Sequence, residues 1–285
     1  MRLLTPDTPY QGLAPYSEHD APFFFGRETE CELVIANMMA SRLTVMYGAS
    51  GAGKTSLLRA GVAHELLERS RENVAEYGSP EFVVVYFNRW SDDPLTALTQ
   101  RIHESARPFA SREAGEPPIG PIGLAETVHW WSTTLDADVL IILDQFEEYF
   151  LYHPDDNGND SFAVEFSRAV NRADIRVSFL ITIREDALAR LDRFKGRCPG
   201  LLDNYLRTRH LDVAAARAAI EKPLVAYNEL TSPPTPFTAE PALVQMVLDQ
   251  VQIGRVVPRA TGRGVVEQEA SPARANDRIE TPYLQ

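Results

Sequence analysis

Gly48-Ala49-Ser50-Gly51-Ala52-Gly53-Lys54-Thr55 reads GASGAGKT, and its GxxxxGK[ST] spacing is that of a loop that wraps phosphates. Glycines at 48, 51 and 53 let successive backbone N–H groups turn inward as a concave anion nest that bulkier residues would obstruct. Lys54 is placed to reach β- and γ-phosphates, and the Thr55 hydroxyl is suited to ligate Mg²⁺. A helix starting at Lys54 would aim its positive end at the same phosphates, with Ser56 in its first turn. Such a loop works between a strand and a helix. Leu43–Tyr47 is a short β-prone run, and SLLRAGVAHELLER (residues 56–69) has helical spacing. Chance would give this pattern in roughly 1% of chains of this length, so the flanks make it a signal.

Working outward, apolar runs alternate with helical stretches. An amphipathic stretch at 28–42 leads into the loop strand, and Glu81–Phe87 reads as a second strand. A helix at 93–107 follows, with Asp93 as N-cap and Pro94 at its first position. Residues 109–123 form a Pro/Gly-rich loop, and a short helix bearing Trp130 and Trp131 comes next. Val139–Leu143 is apolar throughout and suits a strand buried on both faces. A turn cluster at 153–160, a helix at 162–173 and a strand at Val177–Ile183 complete the series. This alternation implies an α/β fold with a doubly wound, mainly parallel sheet.

From Leu211 the pattern turns helical: 213–227, then 239–251 with Thr238 as N-cap. The expected organisation is an extended arm at 1–22, a P-loop NTPase domain at 23–210, a small helical lid at 211–253 and a flexible linker at 254–281. Residues 282–285 read as the start of a truncated next element; the sensor and effector parts that the family resemblance described below implies are expected to be absent.

A phosphate loop needs an acidic partner for magnesium at the C-terminal end of a neighbouring buried strand. Asp144, directly after Val139–Leu143, meets that description. If a helix begins at Asp144, Glu147 and Glu148 return to the same end of the sheet, where a carboxylate could orient or deprotonate water. Which of the two acts stays open. Arg184 follows the fourth strand in the same way, and its guanidinium could reach a γ-phosphate; a surface pair with Glu185 or Asp186 is the alternative.

Composition bounds the rest. The chain has 285 residues, 44% of them hydrophobic, and no apolar run reaches the roughly 18 residues of a membrane span. The N-terminus lacks the apolar core of a secretion signal, so the cytoplasm is the expected location. Net charge is −12, and only Lys54, Lys195 and Lys222 among the 28 cations are lysines. Nucleic acid is therefore not the expected partner. Cys31 and Cys198 lack ligand-spaced neighbours and suggest neither a zinc site nor a disulfide framework.

Several motifs in order resemble the STAND class of P-loop ATPases, switches related to AAA+ and NACHT proteins, and most closely its bacterial novel-STAND branch. Residues 9–30, PYQGLAPYSEHDAPFFFGRETE, are similar to the arm of that branch, as are the phosphate loop, DQFEE (144–148) and ITIRED (181–186). The resemblance covers about residues 9–226. It implies that Phe25, Gly26 and Arg27, with Glu28, line the adenine side of a site for ATP or ADP. Pro223 is similar to a lid proline that touches adenine; by residue chemistry alone it is a helix stop. The resemblance further implies a switch that self-associates, hydrolyses ATP slowly with Mg²⁺, and serves in antiphage defence. An AAA+-like motor, with Arg193 or Arg197 as arginine finger, and a non-catalytic nucleotide-stabilised scaffold are the alternatives.

Overall fold

The apolar runs pair side by side. In the computed structural model, which describes residues 8–110, 123–156, 158, 161–251 and 278–279, five strands form one sheet. They are β1 (Leu43–Gly48), β2 (Phe82–Phe87), β3 (Asp138–Leu143), β4 (Val177–Arg184) and β5 (Tyr205–Arg207). Their order is β2-β3-β4-β1-β5, and every adjacent pair is parallel. All the strands therefore end at the same edge. β4 lies between β1 and β3, and the chain leaves β1 for the far edge strand but later returns past it to β5. That reversal is where open α/β sheets bind ligands, beyond the strands' C-terminal ends.

The described residues fall into two compact units. The first to consider, residues 29–50 and 61–208, holds the sheet. Side chains alternate across a strand. Val83, Val85, Phe87, Val139, Ile141, Leu143, Phe179, Ile181 and Ile183 join one buried cluster with α4 (Pro94–Ala106), α5 (Leu124–Leu135) and α7 (Phe162–Asn171). Burial on both faces explains why β3 reads as an unbroken apolar run. Asp93 caps α4 by accepting N–H groups of Leu95 and Thr96. The first turn of α5 is capped from another helix: Glu165 of α7 accepts the Leu124 N–H at 3.1 Å, so a nearly buried carboxylate meets a helix N-terminus.

The second unit gathers residues up to 28, 51–60 and 209 onward. A 3-10 turn at Glu18–Phe23 is stapled at its start by Asp20, which accepts the Ser17 N–H, so the arm is not extended throughout. Tyr16, Phe23 and Ala60 bury together with Ala226 and Tyr227. Two helices follow: α8 (Val213–Thr231), capped by Asp212, and α9 (Pro241–Gln250). The N-cap of α9 is Glu240, not Thr238, because Pro241 supplies the fixed φ of a first helical position. Pro223 is not a helix stop: α8 runs through it for two more turns.

This unit is not purely helical. β6 (Leu211–Asp212) pairs antiparallel with β7 (Arg278–Ile279), inside the segment read as linker. Ile279 is fully buried with Leu211, Ala216, Val244, Leu248 and Val251. One isoleucine in a polar stretch has no periodicity to announce it. The rest of the segment read as linker, residues 282–285, and 111–122 of the Pro/Gly-rich loop lie outside the described residues. Among the described residues no helix is long and apolar enough to cross a membrane.

Candidate nucleotide site

Three adjacent strands bring expected residues to one edge of the sheet. Gly48 closes β1 level with Arg184, which closes β4, and Leu143 lies level with Ile181, so Asp144 stands at the height of Thr182. With strands about 4.8 Å apart, β1 and β3 end about 10 Å from each other, with the end of β4 between them.

Asp144 is fully buried, yet its carboxylate is met by donors. Tyr86, on β2, lies on the same face of the sheet as Asp144, and its hydroxyl donates to Oδ2 at 2.8 Å. The Thr182 hydroxyl, from β4 on the other side, donates to Oδ1. The Gln145 N–H donates to Asp144 Oδ1 at 2.9 Å and to Thr182 Oγ1 at 3.1 Å. The Asp144 backbone is held as firmly: its N–H bonds Phe87 O at 2.9 Å, and its carbonyl accepts Trp90 Nε1 at 2.7 Å. Trp90 is packed edge-on against Phe87, Phe146 and Phe162, so the indole cannot drift.

No helix begins at Asp144. Gln145 takes φ +56°, in the left-handed region, and α6 (Glu147–Tyr152) starts only at Glu147. A non-glycine residue there costs roughly 1–3 kcal/mol and is sustained by surrounding contacts, here the two oxygens that its N–H reaches. The turn separates the glutamates. Glu147 Oε2 accepts the Arg184 N–H at 3.1 Å. Burial, then the charges of Glu147 and Asp144, raise the pKa of Glu148 above the usual carboxylate range.

The guanidinium of Arg184 rests on Asp186, with contacts of 3.1 and 2.7 Å, the surface pairing weighed as its alternative. Arg193 donates to the carbonyls of His153 and Pro154 at 2.8 and 2.6 Å and lies over the rings of Tyr149 and Phe150. As an arginine finger it would have to abandon all four. Arg197 has a buried Nη1.

The phosphate loop leaves the end of β1 through Ala49 and the exposed Ser50. Gly51 and Gly53 take φ +74° and +81°, which only glycine adopts at little cost. Helix α2 (Lys54–Ser56) begins at Lys54, widens into π-type turns over Leu57–Ala63 and continues as α3 (His64–Tyr77). Lys54 and Thr55 are partly exposed, whereas Ser56 is buried and its Oγ accepts the Tyr16 N–H at 3.2 Å.

Arg27 braces this loop from within. Its guanidinium, 3% exposed, donates to Ala52 O at 2.7 Å and to Arg209 O at 2.8 Å. One planar fork thus joins the loop to the chain entering α8. Gly26, at φ +86°, lies so close to that helix that a Cβ would stand 2.4 Å from Ala215 O. Phe25 is partly exposed, with the Lys222 ammonium 5.6 Å from its ring centre. Lys222 also pairs with Glu28 at 3.3 Å. Pro223, beside Lys222, is buried.

Sequence reasoning missed Tyr86 and Thr182. Tyr86 is the one hydroxyl in FVVVYF, and Thr182 interrupts the apolar run FLITI of VSFLITIR; a polar residue within such a run is the signal that could have found them. Arg27, expected on the adenine side, has its side chain buried on two carbonyls.

A profile described as novel STAND NTPase 1 matches residues 9–255. No curated protein matches the chain. Among solved structures, the Walker-type ATPase PABY2304 of Pyrococcus abyssi is similar with TM-score 0.55 and 16% identity, covering 85% of this chain and 67% of that one. The Aeropyrum pernix ORC2 protein, solved as ADPNP–ADP complexes, gives 0.49 and 18%, covering 70% of this chain and 52% of its own. Cdc6p from Pyrobaculum aerophilum gives 0.47 and 17%, covering 87% and 57%. The chain thus spans about half the length of ORC2, and likeness at these identities concerns the fold.

Proposed function

Since the chain belongs to the novel STAND NTPase 1 family, as its match over residues 9–255 shows, we propose that it is a regulatory ATPase switch. It binds ATP and ADP with Mg²⁺, and its main product is a conformational state. The observation that supports this most is the edge of the sheet where β1, β4 and β3 end in the phosphate loop, Arg184 and the buried Asp144. Gly48 through Ser56 wrap the phosphates, with Lys54 on the β- and γ-phosphates. Phe25, Gly26 and Pro223 flank the adenine, and Arg27 holds the loop's shape. The donor set fits Mg²⁺, a hard cation that takes oxygen ligands: the Thr55 hydroxyl and the Asp144 carboxylate are both oxygen donors, and Asp144 is oriented by two hydroxyls. Mg²⁺ when bound neutralises charge on the transferring phosphoryl group.

Glu148, with its raised pKa, is the stronger candidate to take a proton from the attacking water, while Glu147 steadies the end of β4 through the Arg184 N–H. Arg184 leaves Asp186 for the γ-phosphate when ATP is present. Hydrolysis is slow and resets the switch, ADP holds the resting state, and ATP promotes self-association of the complete protein in the cytoplasm. A setting in antiphage defence follows from the resemblance to the bacterial branch.

The test is to denature the purified chain, identify any released nucleotide by mass spectrometry, and titrate ATP, ADP and GTP by calorimetry. Adenine nucleotide bound in the micromolar range or tighter, and lost in Lys54→Ala, is the expected result. A chain that neither retains nor binds adenine nucleotide overturns the reading.

A further inference from the structure

We propose that Tyr86 and Thr182 are positioning residues that fix the Asp144 carboxylate for a nucleotide-bound divalent cation. The inference rests on the nucleotide-site reading above and goes beyond it by naming what aims the acidic ligand. β3 is flanked on both sides, and each neighbour contributes one hydroxyl on the face that Asp144 occupies. Tyr86 on β2 fixes Oδ2 at 2.8 Å, and Thr182 on β4 fixes Oδ1. The Thr182 hydroxyl also accepts the Gln145 N–H at 3.1 Å, so its single proton is directed at Asp144 and its rotation is locked.

Both oxygens of the carboxylate are therefore set by groups on other strands. With the Gln145 N–H also on Oδ1 at 2.9 Å, donors to both oxygens remove torsional freedom about the Cβ–Cγ bond. Hydrogen bonds to a ligating carboxylate set its orientation and its donor strength. Their loss typically weakens metal binding by about 10- to 100-fold. Tyr86 is also partly exposed at the penultimate position of β2, where Tyr→Phe removes the hydroxyl and leaves the ring in its packing. Thr182→Val does the same for the other oxygen, and Thr182→Ser restores a hydroxyl without the methyl group.

The experiment uses the full chain with ADP and Mn²⁺ as the probe, Mn²⁺ affinity being read by electron paramagnetic resonance. ADP binding in EDTA is measured in parallel with a fluorescent ADP analogue. The expected result for Tyr86→Phe and Thr182→Val is a Mn²⁺ Kd raised about 10-fold or more, with metal-free ADP binding within about twofold of wild type. Thr182→Ser should return most of the affinity. If wild type binds Mn²⁺–ADP and Tyr86→Phe and Thr182→Val match it within twofold, the positioning role is overturned while the nucleotide site stands. A variant that also loses metal-free ADP binding overturns it too, since the hydroxyl then serves the fold and not the cation. Wild type that binds no Mn²⁺ with ADP overturns the site reading itself.

Discussion

Two neighbouring glutamates with identical chemistry are given different surroundings by one backbone angle. Because Gln145 turns left-handed, α6 begins at Glu147 rather than at Asp144. Glu147 then lies on the Arg184 N–H, and Glu148 is left half-buried beside two carboxylates that oppose its ionisation. A base works best when its pKa approaches the working pH, so the environment of Glu148 suits proton abstraction. Glu148→Gln is expected to lower ATP hydrolysis by 100-fold or more and Glu147→Gln by less, measured as phosphate release. The pH profile should show the same group. In wild type the acid limb of kcat/KM is expected above the usual glutamate value of about 4.3. Stability moves the opposite way. A carboxyl whose folded pKa is raised favours folding below its unfolded pKa and loses that contribution as pH rises through the folded value. The ionised form of Glu148 therefore weakens the fold, and Glu148→Gln is expected to raise the melting temperature while lowering turnover. An unchanged hydrolysis rate in Glu148→Gln would remove it from the chemistry.

At the scale of elements, sequence and structure agree where burial is uniform and part where tertiary context decides. β2 and β3 were legible because strands covered on both faces must be apolar at every position. α4 was legible from Asp93-Pro94, a cap and a first-turn proline in one dipeptide. β5 was missed: its three residues, Tyr205–Arg207, are an edge strand half open to solvent. Arg27 could be read as charged but not as buried, since its partners are two backbone carbonyls, one of them 182 residues away. The arm at 8–24 shows what such contacts do. Its Tyr10 hydroxyl donates to Ile220 O at 2.5 Å, in the turn of α8 before Pro223. Glu18 pairs with Arg59 of the widened loop helix at 2.7 Å. Burial alone would raise the pKa of Glu18, but the Arg59 hydrogen bond and charge, together with a backbone hydrogen bond of Glu18 itself and the charge of His19, outweigh it and hold the carboxyl below its usual value. Here the sign favours stability at neutral pH: the contribution is present above the unfolded pKa and is lost as pH falls through the depressed folded value. With both side chains about a quarter to a third exposed, Glu18→Gln is expected to cost no more than about 1 kcal/mol. That corresponds to roughly 2–4 °C in melting temperature at pH 7. Limited proteolysis should cut the arm faster in the variant, and the difference from wild type should shrink as pH falls toward 3. A gap that stays constant with pH would mean that the ion pair is not what holds the arm.

For the whole molecule, the central issue is whether nucleotide exchange changes its state. A ligand can shift a conformational equilibrium only by its difference in affinity for the two states, however tightly it binds. A switch held at rest by ADP must therefore distinguish ADP from ATP, and coupling of the usual 1–3 kcal/mol corresponds to about 5- to 150-fold. Arg184 is the residue on which this difference should depend, because it closes β4 beside the end of β1 and its guanidinium is held by an exposed pair with Asp186 that a phosphate could replace. In a Glu148→Gln background, where ATP persists through a titration, the ADP and ATP dissociation constants with Mg²⁺ are expected to differ by at least fivefold in favour of ADP. Arg184→Ala should change the ratio by altering the ATP value more than the ADP value. Wild-type turnover should stay below about one per second, the lower end of the usual enzyme range. Equal affinities, with the ratio unmoved by Arg184→Ala, would overturn the assignment of Arg184 as the residue that tells ATP from ADP. Equal affinities with fast turnover would favour the motor reading, and equal affinities with no detectable turnover would favour the scaffold.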